Sequence, residues 1–504
     1  MTHYLPAGGG PARGGPERPI FAARRQRNWP LLALLAVVAA AAIVAVFLLP
    51  SSTVAGKQTT ALSSRPDPGT APPKATTAPT SSTSTSTSTS TSTTTVVPQA
   101  TWRIAWGSPM SWGYGVASDA TVRDLATVAL GGQAVKFRVS NLWGTSPLTI
   151  GAATLAESAG GSAITPATTH TVTFGGSPQI TIAPGQEAYS DPVAMTVTPN
   201  ETLAISLWVQ STTLVSLHWC CKTSPTRVFF TPNGRGNLSS QANMQGVVYP
   251  GTQIRFVDAV DVLETTGQPS IVVVGDSITD GYNSTLRWTH VLQQRIDTLP
   301  ADQQRAVINE GISANALLPP TPTSPTDDTK SGGLPGLSRL ANDALNQPGV
   351  GEVILFLGTN DLWFGSTAAQ LIQGYQQAIA AVHKAGVRII GVTLLPRATD
   401  KDEYWSPADQ ANLVTVDNWI RTSGAFDGVL DMAPVVADVY NGQCNPTAMF
   451  PPYDSGDHLH PNPAGQTAIA NAINPQTLQL PAMAQVPPLV AVTPTPGCSS
   501  ANAA

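Results

Sequence analysis

Three short runs of apolar, largely β-branched residues stand in the second half of this 504-residue chain, and each stops at a glycine or a proline. They are residues 271–274 before Gly275, 353–357 before Gly358 and 388–395 before Pro396. A run without polar alternation is the pattern of a strand buried on both faces, as in parallel sheets. Helical periodicity fills the gaps, over 287–296 and over 371–384, where Leu371, Tyr375, Ile379 and Val382 share one face. Strand alternating with helix predicts an α/β domain with crossovers over 266–480. Such sheets bind ligands beyond the carboxyl ends of their strands, so the residues just after each run are the candidates for chemistry.

Four blocks fall in such places or in loops, in a fixed order. They are Gly275-Asp276-Ser277-Ile278, Asn309-Glu310-Gly311-Ile312-Ser313, Gly358-Thr359-Asn360-Asp361 and Asp457-His458-Leu459-His460-Pro461. Ser277 is placed as a nucleophile past a strand end. A serine hydroxyl needs a base at neutral pH, and His460 is the candidate, with Asp457 three residues earlier to fix its tautomer and stabilise the imidazolium. A tetrahedral intermediate also needs donors aimed at its oxygen. The expected oxyanion set is the backbone N–H groups of Ser277 and Gly311 and the side-chain amide of Asn360. The order and spacing do not fit a Gly-x-Ser-x-Gly elbow, because Ile278 and Thr279 follow Ser277. No Gly-rich phosphate loop, Cys-x-x-Cys pair or His-Glu-x-x-His helix stands in the sequence, so neither cofactor nor metal is implied.

In these blocks the chain resembles the SGNH, or GDSL, hydrolases over about residues 268–475. It is most similar to secreted actinobacterial members, in Arg287-Trp288, in Asn309-x-Gly311-Ile312-Ser313 and in the stretch from Ser455 to Asn462. The resemblance implies a flavodoxin-like α/β/α fold, with Ser277, Gly311, Asn360 and His460 as the four family residues. Two departures stand out. Ala314 follows Ile312-Ser313 where glycine is expected, which bears on the oxyanion loop. Pro463 stands where an acidic residue is common, which bears on the start of the following helix.

Each residue type also has a plainer use. Gly-Asp-Ser alone is common turn chemistry, and an Asp–His pair alone can be a hydrogen-bonded loop or a metal site. His458 rivals His460 as the base but is expected to point away from Asp457. His290 and His383 read as helix-surface residues, and Asp276 as a cap for the loop or following helix.

Residues 101–265 follow another pattern. Val135, Phe137 and Val139 alternate with polar residues, as do Leu203, Ile205, Leu207 and Val209, and Gly and Pro pairs punctuate the runs. Short alternating strands predict an all-β sandwich, and Ser140-Asn141-x-x-Gly144-Thr145 is similar to the jelly-roll-like domain that precedes the catalytic one in the related esterases. Trp102, Trp106, Trp112, Trp143, Trp208 and Trp219 read chiefly as core or interface residues, with a sugar-stacking surface as the alternative.

The amino end bears on where the chemistry happens. Residues 1–29 form a Gly/Pro-rich basic tail, and residues 31–49 carry no charged or strongly polar side chain. Nineteen helical residues at about 1.5 Å each nearly cross a hydrocarbon core of about 30 Å. Arginines on the near side predict a single transmembrane helix over 30–50, with the amino terminus cytoplasmic and the rest outside; a cleaved signal peptide and secretion is the alternative. A Ser/Thr-rich linker follows over 51–100, with nothing to bury and a coil span of about 40 Å. The tail's five arginines against Glu17 leave −9 of the overall −5 on the remaining chain, which excludes nucleic acid as the expected partner. Cys220 or Cys221 with Cys444, or Cys444 with Cys498, are the disulfides considered. The Pro-rich stretch 318–325 reads either as a lid or as a surface insertion, and a Pro/Ala-rich tail occupies 481–504.

The expectation is a membrane-anchored, extracytoplasmic serine esterase acting on acyl-ester substrates, with short acyl groups on an envelope polysaccharide favoured. A lipase, thioesterase or acyltransferase would use the same site, and a tethered glycan-binding scaffold with an inactive hydrolase domain is the non-enzymatic alternative.

Overall fold

The computed structural model describes residues 100–219, 225–265, 267–319, 332–397, 405–438 and 445–478. The apolar stretch 31–49, the linker, all four cysteines and most of the Pro-rich stretch lie outside these, and with them the expectations about anchor, disulfides and lid. Among the described residues no helix is long and apolar enough to cross a membrane.

The amino-terminal described part is β-rich and antiparallel. One sheet joins Thr101–Gly107, Val257–Glu264, Val135–Ser140 and Glu187–Tyr189; a larger one is centred on Ala120–Thr127, Thr202–Val209 and Leu148–Gly160. The apolar positions of the predicted alternation are all inside, but Arg138, Ala204 and Ser206 between them are buried as well. Val135, Phe137, Val139, Leu203, Ile205, Leu207 and Val209 are all fully buried, each such side chain contributing about 1.5–3 kcal/mol over exposure. The tryptophans are engaged within the protein. Trp106 and Trp112 are buried, Trp112 packs on Trp219 at 5.5 Å between ring centroids, and the indole N–H groups of Trp143 and Trp208 donate to Met110 O and Asp119 Oδ1.

The α/β domain holds five parallel strands, numbered from here: β1 (Ser270–Gly275), β2 (Val307–Gly311), β3 (Val350–Phe356), β4 (Arg388–Val392) and β5 (Gly428–Leu430). Their order across the sheet is β2-β1-β3-β4-β5, the flavodoxin-like 2-1-3-4-5 arrangement with its switch point beside the first strand. Alternate residues of these strands enter two separate cores. Ile271, Val273, Ile354 and Phe356 pack with Leu292 and Ile296 of helix α2 (Trp288–Ile296) and with Ile469. Val272, Val274, Val353 and Leu355 join the core containing Leu371, Tyr375 and Val382 of Ala368–Lys384 and Val416 of Pro407–Thr422. Burial on both faces is why these strands carry no polar alternation. Pro463 opens the helix Pro463–Ala472 at a position where its missing N–H costs nothing, with the Asn462 side chain as N-cap.

The change of sheet near residue 265 is not a break in packing. The core that holds Val272 and Val353 also contains Ile104, Phe137 and Ile205 of the β-rich region. Backbone and side-chain bonds cross the seam as well: Ile104 N–H to Pro348 O at 2.9 Å and Ser270 Oγ–H to Ile104 O at 2.9 Å.

Candidate active site

Strand β1 delivers Gly275 and Asp276 to the sheet edge, and a one-turn helix α1 (Ser277–Asp280) starts at once. Asp276 is its N-cap and accepts from the Ile278 N–H at 2.9 Å, as the sequence predicts for this carboxylate. Burial pushes the Asp276 carboxyl up to about 7, against the Ile278 N–H and the charge of His460, which pull it down. Ser277 itself is 5 % exposed, and its backbone N–H has no partner among the described residues.

The other half of the site arrives 183 residues later. His460 Nε2 lies 2.8 Å from Ser277 Oγ, and His460 Nδ1 lies 2.6 Å from Asp457 Oδ2. The backbone makes the Asp457–His460 spacing work: the N–H groups of Leu459 and His460 both donate to Asp457 Oδ1, closing a tight turn, and Asn283 Nδ2 donates to Asp457 Oδ2. Burial opposes the charge on Asp457, but the charge and hydrogen bonds of His460, with that of Leu459, outweigh it and hold the carboxyl below its ordinary range. Tyr282 packs on the His460 ring at 4.8 Å between centroids. With Nδ1–H directed to Asp457, Nε2 is left to accept the serine proton.

His458 is not part of this chain. It turns through a left-handed backbone (φ 62°), and its Nδ1 pairs with Asp454 Oδ2 at 2.6 Å. His290 and His383 sit on helices and pair with Gln294 and Asp427, the expected surface roles.

The second and third blocks meet around one turn, residues 311–315. Asn360 is carried by helix α3 (Thr359–Trp363), is 6 % exposed, and donates one amide hydrogen to Asn315 O at 2.8 Å, leaving the second for a ligand. Asp361 is not idle: its two oxygens accept the Leu317 and Leu318 N–H groups, each at 2.8 Å. Burial pushes its carboxyl up to about 7.

Gly311 differs from its expected role. Its N–H is committed to Asn309 Oδ1 at 2.9 Å and is not open to an oxyanion. Glycine stands there for another reason: a Cβ would lie 2.5 Å from the Asp280 backbone nitrogen, so only glycine lets the end of β2 touch helix α1. Three residues on, Ala314 adopts φ 62°, and its N–H has no partner among the described residues. Ala314 stands where glycine was expected, and its N–H is the uncommitted donor of this turn among the described residues. The sequence also gave no hint of two residues that brace this turn, Asp280 and His218. Among the described residues no group of His, Cys, Asp and Glu is arranged to hold a metal ion.

A parallel α/β/α sheet with a Ser–His–Asp hydrogen-bonded chain at the carboxyl edge of its first strand is the architecture of a serine hydrolase. Residues 273–468 match the GDSL-like Lipase/Acylhydrolase family, and the α/β domain belongs to that family. No curated protein matches the chain. Among solved structures it is similar to a lipolytic protein of the G-D-S-L family from Desulfitobacterium hafniense, with 20 % identity over 41 % of this chain and 97 % of that one and a TM-score of 0.30. It is similar also to an aryl esterase of M. smegmatis, with 20 % identity, 40 % and 95 % covered and a TM-score of 0.31. A lipase/acylhydrolase from Enterococcus faecalis gives 22 % identity, 41 % and 93 % covered and a TM-score of 0.31.

Proposed function

We propose that the chain is a carboxylic ester hydrolase working through an acyl-enzyme on Ser277. The observation that carries this reading is the continuous chain from Ser277 Oγ through His460 to Asp457, at 2.8 and 2.6 Å. As Ser277 Oγ bonds to the acyl carbon, its proton passes to His460 Nε2, and Asp457 stabilises the imidazolium. The carbonyl oxygen becomes an oxyanion that meets the Ser277 N–H, the second Asn360 amide hydrogen and the Ala314 N–H. Collapse breaks the ester C–O bond, and His460 returns the proton to the departing alcohol. Water then attacks the acyl-enzyme, gives a proton to His460, and the acid leaves as Ser277 Oγ recovers it.

Substrate and setting belong to the same proposal. A basic tail, an apolar segment at 31–49 and a Ser/Thr-rich linker favour an enzyme anchored by one helix and held outside the membrane. We read the β-rich region as a jelly-roll-like sandwich, as in related secreted actinobacterial esterases. That setting favours short acyl groups on an envelope polysaccharide.

Full-length protein assayed on p-nitrophenyl esters of graded acyl length, beside Ser277→Ala and His460→Ala, tests the reading. Hydrolysis abolished in both variants with an optimum at acetyl is the expected result. An optimum at long chains would move the assignment to lipase or thioesterase. Acyl transfer to a sugar exceeding hydrolysis would make it a transferase, and a folded protein inert on every ester would overturn the enzymatic reading.

A further inference from the structure

His218 belongs to the β-rich region, one residue beyond the strand Thr213–Leu217, and is 3 % exposed. Its Nδ1 lies 2.9 Å from the carbonyl oxygen of Pro109, and its Nε2 lies 3.2 Å from Asp280 Oδ1. Both ring nitrogens thus face oxygens that accept, a backbone carbonyl and a carboxylate. Asp280 closes helix α1 three residues after Ser277, and its other oxygen accepts both the N–H (3.1 Å) and the Oγ–H (2.7 Å) of Ser313. Asp280 is also within the fields of Arg287, whose Nε–H donates to its backbone oxygen, and of Arg227 from the β-rich region. Burial opposes its ionisation, and the charge and hydrogen bond of His218 lead the groups that overcome it.

Ser313 is the residue immediately before Ala314. A glycine at position 314 would take a left-handed backbone without cost. An alanine at φ 62° is disfavoured by the contact of its Cβ with the backbone, and such a conformation persists only where its surroundings over-determine it. The surroundings here are bonds on both sides of Ala314. On one side are the two from Ser313 to Asp280; on the other, Asn360 Nδ2–H and Arg339 Nε–H donate to the backbone oxygen and Oδ1 of Asn315. Relaxing Ala314 would turn the peptide that carries its N–H and so re-aim that donor.

We propose that His218 is a positioning residue for ester hydrolysis: through Asp280 and Ser313, the β-rich region holds the turn at 312–315 so that the Ala314 N–H faces the oxyanion. The inference rests on the esterase reading above. It gives the β-rich region a part in the reaction, independent of whether that region also binds a glycan.

The test uses full-length protein carrying His218→Leu, His218→Gln or Ser313→Ala, with kcat and KM on the best p-nitrophenyl ester and the affinity for phenylboronic acid, which forms a tetrahedral adduct on Ser277. His218→Leu is expected to lower kcat about tenfold with KM nearly unchanged and to weaken boronate binding by a similar factor. His218→Gln, whose amide N–H can still reach Asp280, should recover most of both. Adding Ala314→Gly to His218→Leu should restore activity, because glycine holds the turn unaided; loss of interdomain packing alone would not respond to this change. If His218→Leu fails to fold, Ser313→Ala decides, with a smaller parallel loss in kcat and boronate affinity expected. A folded His218→Leu, or Ser313→Ala in its place, with wild-type kcat and boronate affinity overturns the inference and leaves the esterase reading intact. So does a loss of kcat without a loss of boronate affinity. Wild-type protein inactive on every ester removes the esterase reading and this inference together.

Discussion

The β-rich region and the α/β domain both bury charged side chains, and they do so to different ends. In the β-rich region Arg123 is fully buried and donates to Ser206 Oγ and to the backbone oxygens of Ser162, Ser239 and Gln241, tying loops to the sheet. Arg138 there pairs with Asp258 at 2.9 Å and with Glu187 at 3.4 Å. In the α/β domain Asp276, Asp280 and Asp361 are as deeply buried, but they cluster at the carboxyl ends of β1 and β3 and take hold of the backbone that carries Ser277, Ser313 and Leu317. Burial of charge therefore does not by itself mark a reactive site. What marks one here is burial together with a hydrogen-bonded route to a nucleophile at a strand edge.

Substitutions can break or sharpen this contrast. The largest effect is expected at Ser277 and His460: alanine at either should lower kcat by about 10⁴-fold or more, with the melting temperature little changed, whereas no single change in the β-rich region should approach that loss in a folded protein. Asn360→Ala should cost about 10²-fold in kcat and weaken boronate binding in proportion; an unaltered kcat would remove Asn360 from the oxyanion set. Arg123→Ala should show the opposite signature. Leaving several buried acceptors unpaired should cost about 3 kcal/mol of stability in urea unfolding, with kcat per folded molecule retained. A fall in kcat there would erase the distinction between structural and reactive buried charge.

The smallest effect is in pH. Burial pushes Asp276, Asp361 and Asp417 up to about 7. A carboxyl whose folded pKa is raised binds its proton more tightly when folded. Its contribution to stability is thus fully present below the unfolded value near 4 and is lost as pH rises through 7. Asp457 and Asp280, held low, contribute with the opposite sign, and their share is lost as pH falls below about 4. The melting temperature should therefore be higher at pH 6 than at pH 8. Asp417→Asn, on the helix Pro407–Thr422 away from Ser277, should flatten that slope without changing kcat; an unchanged slope would mean that Asp417 does not titrate in this window.

The two regions also differed in how much of them could be read from sequence. Periodicity gave both fold classes, because it reflects which faces are buried: Val272 and Val273 enter opposite cores, so neither tolerates a polar residue, while Lys136 between Val135 and Phe137 reaches the surface. That Ser277, His460 and Asp457 would meet was legible because their residue types stand in short blocks at strand ends and loops. Gly311 was misread because a glycine required for close approach and one required for an exposed N–H look alike in a sequence; only the contact with Asp280 and the bond to Asn309 separate them. His218 was not legible at all. No local pattern links position 218 to position 280, and the pairing exists only once the two sheets share a core.

The hydrogen bond between Ser277 and His460 has a consequence in time. The chain must grow by 183 residues past Ser277, to His460, before the serine meets its base. At about 5–20 residues per second a ribosome takes roughly ten to forty seconds over that stretch. Throughout that interval the growing chain already contains its β-rich region and its nucleophile, yet Ser277 remains an ordinary alcohol. The serine meets its base only once the turn at 457–460 has joined the fold, so a polypeptide cut short anywhere before Asp457 never forms the Ser277–His460 bond.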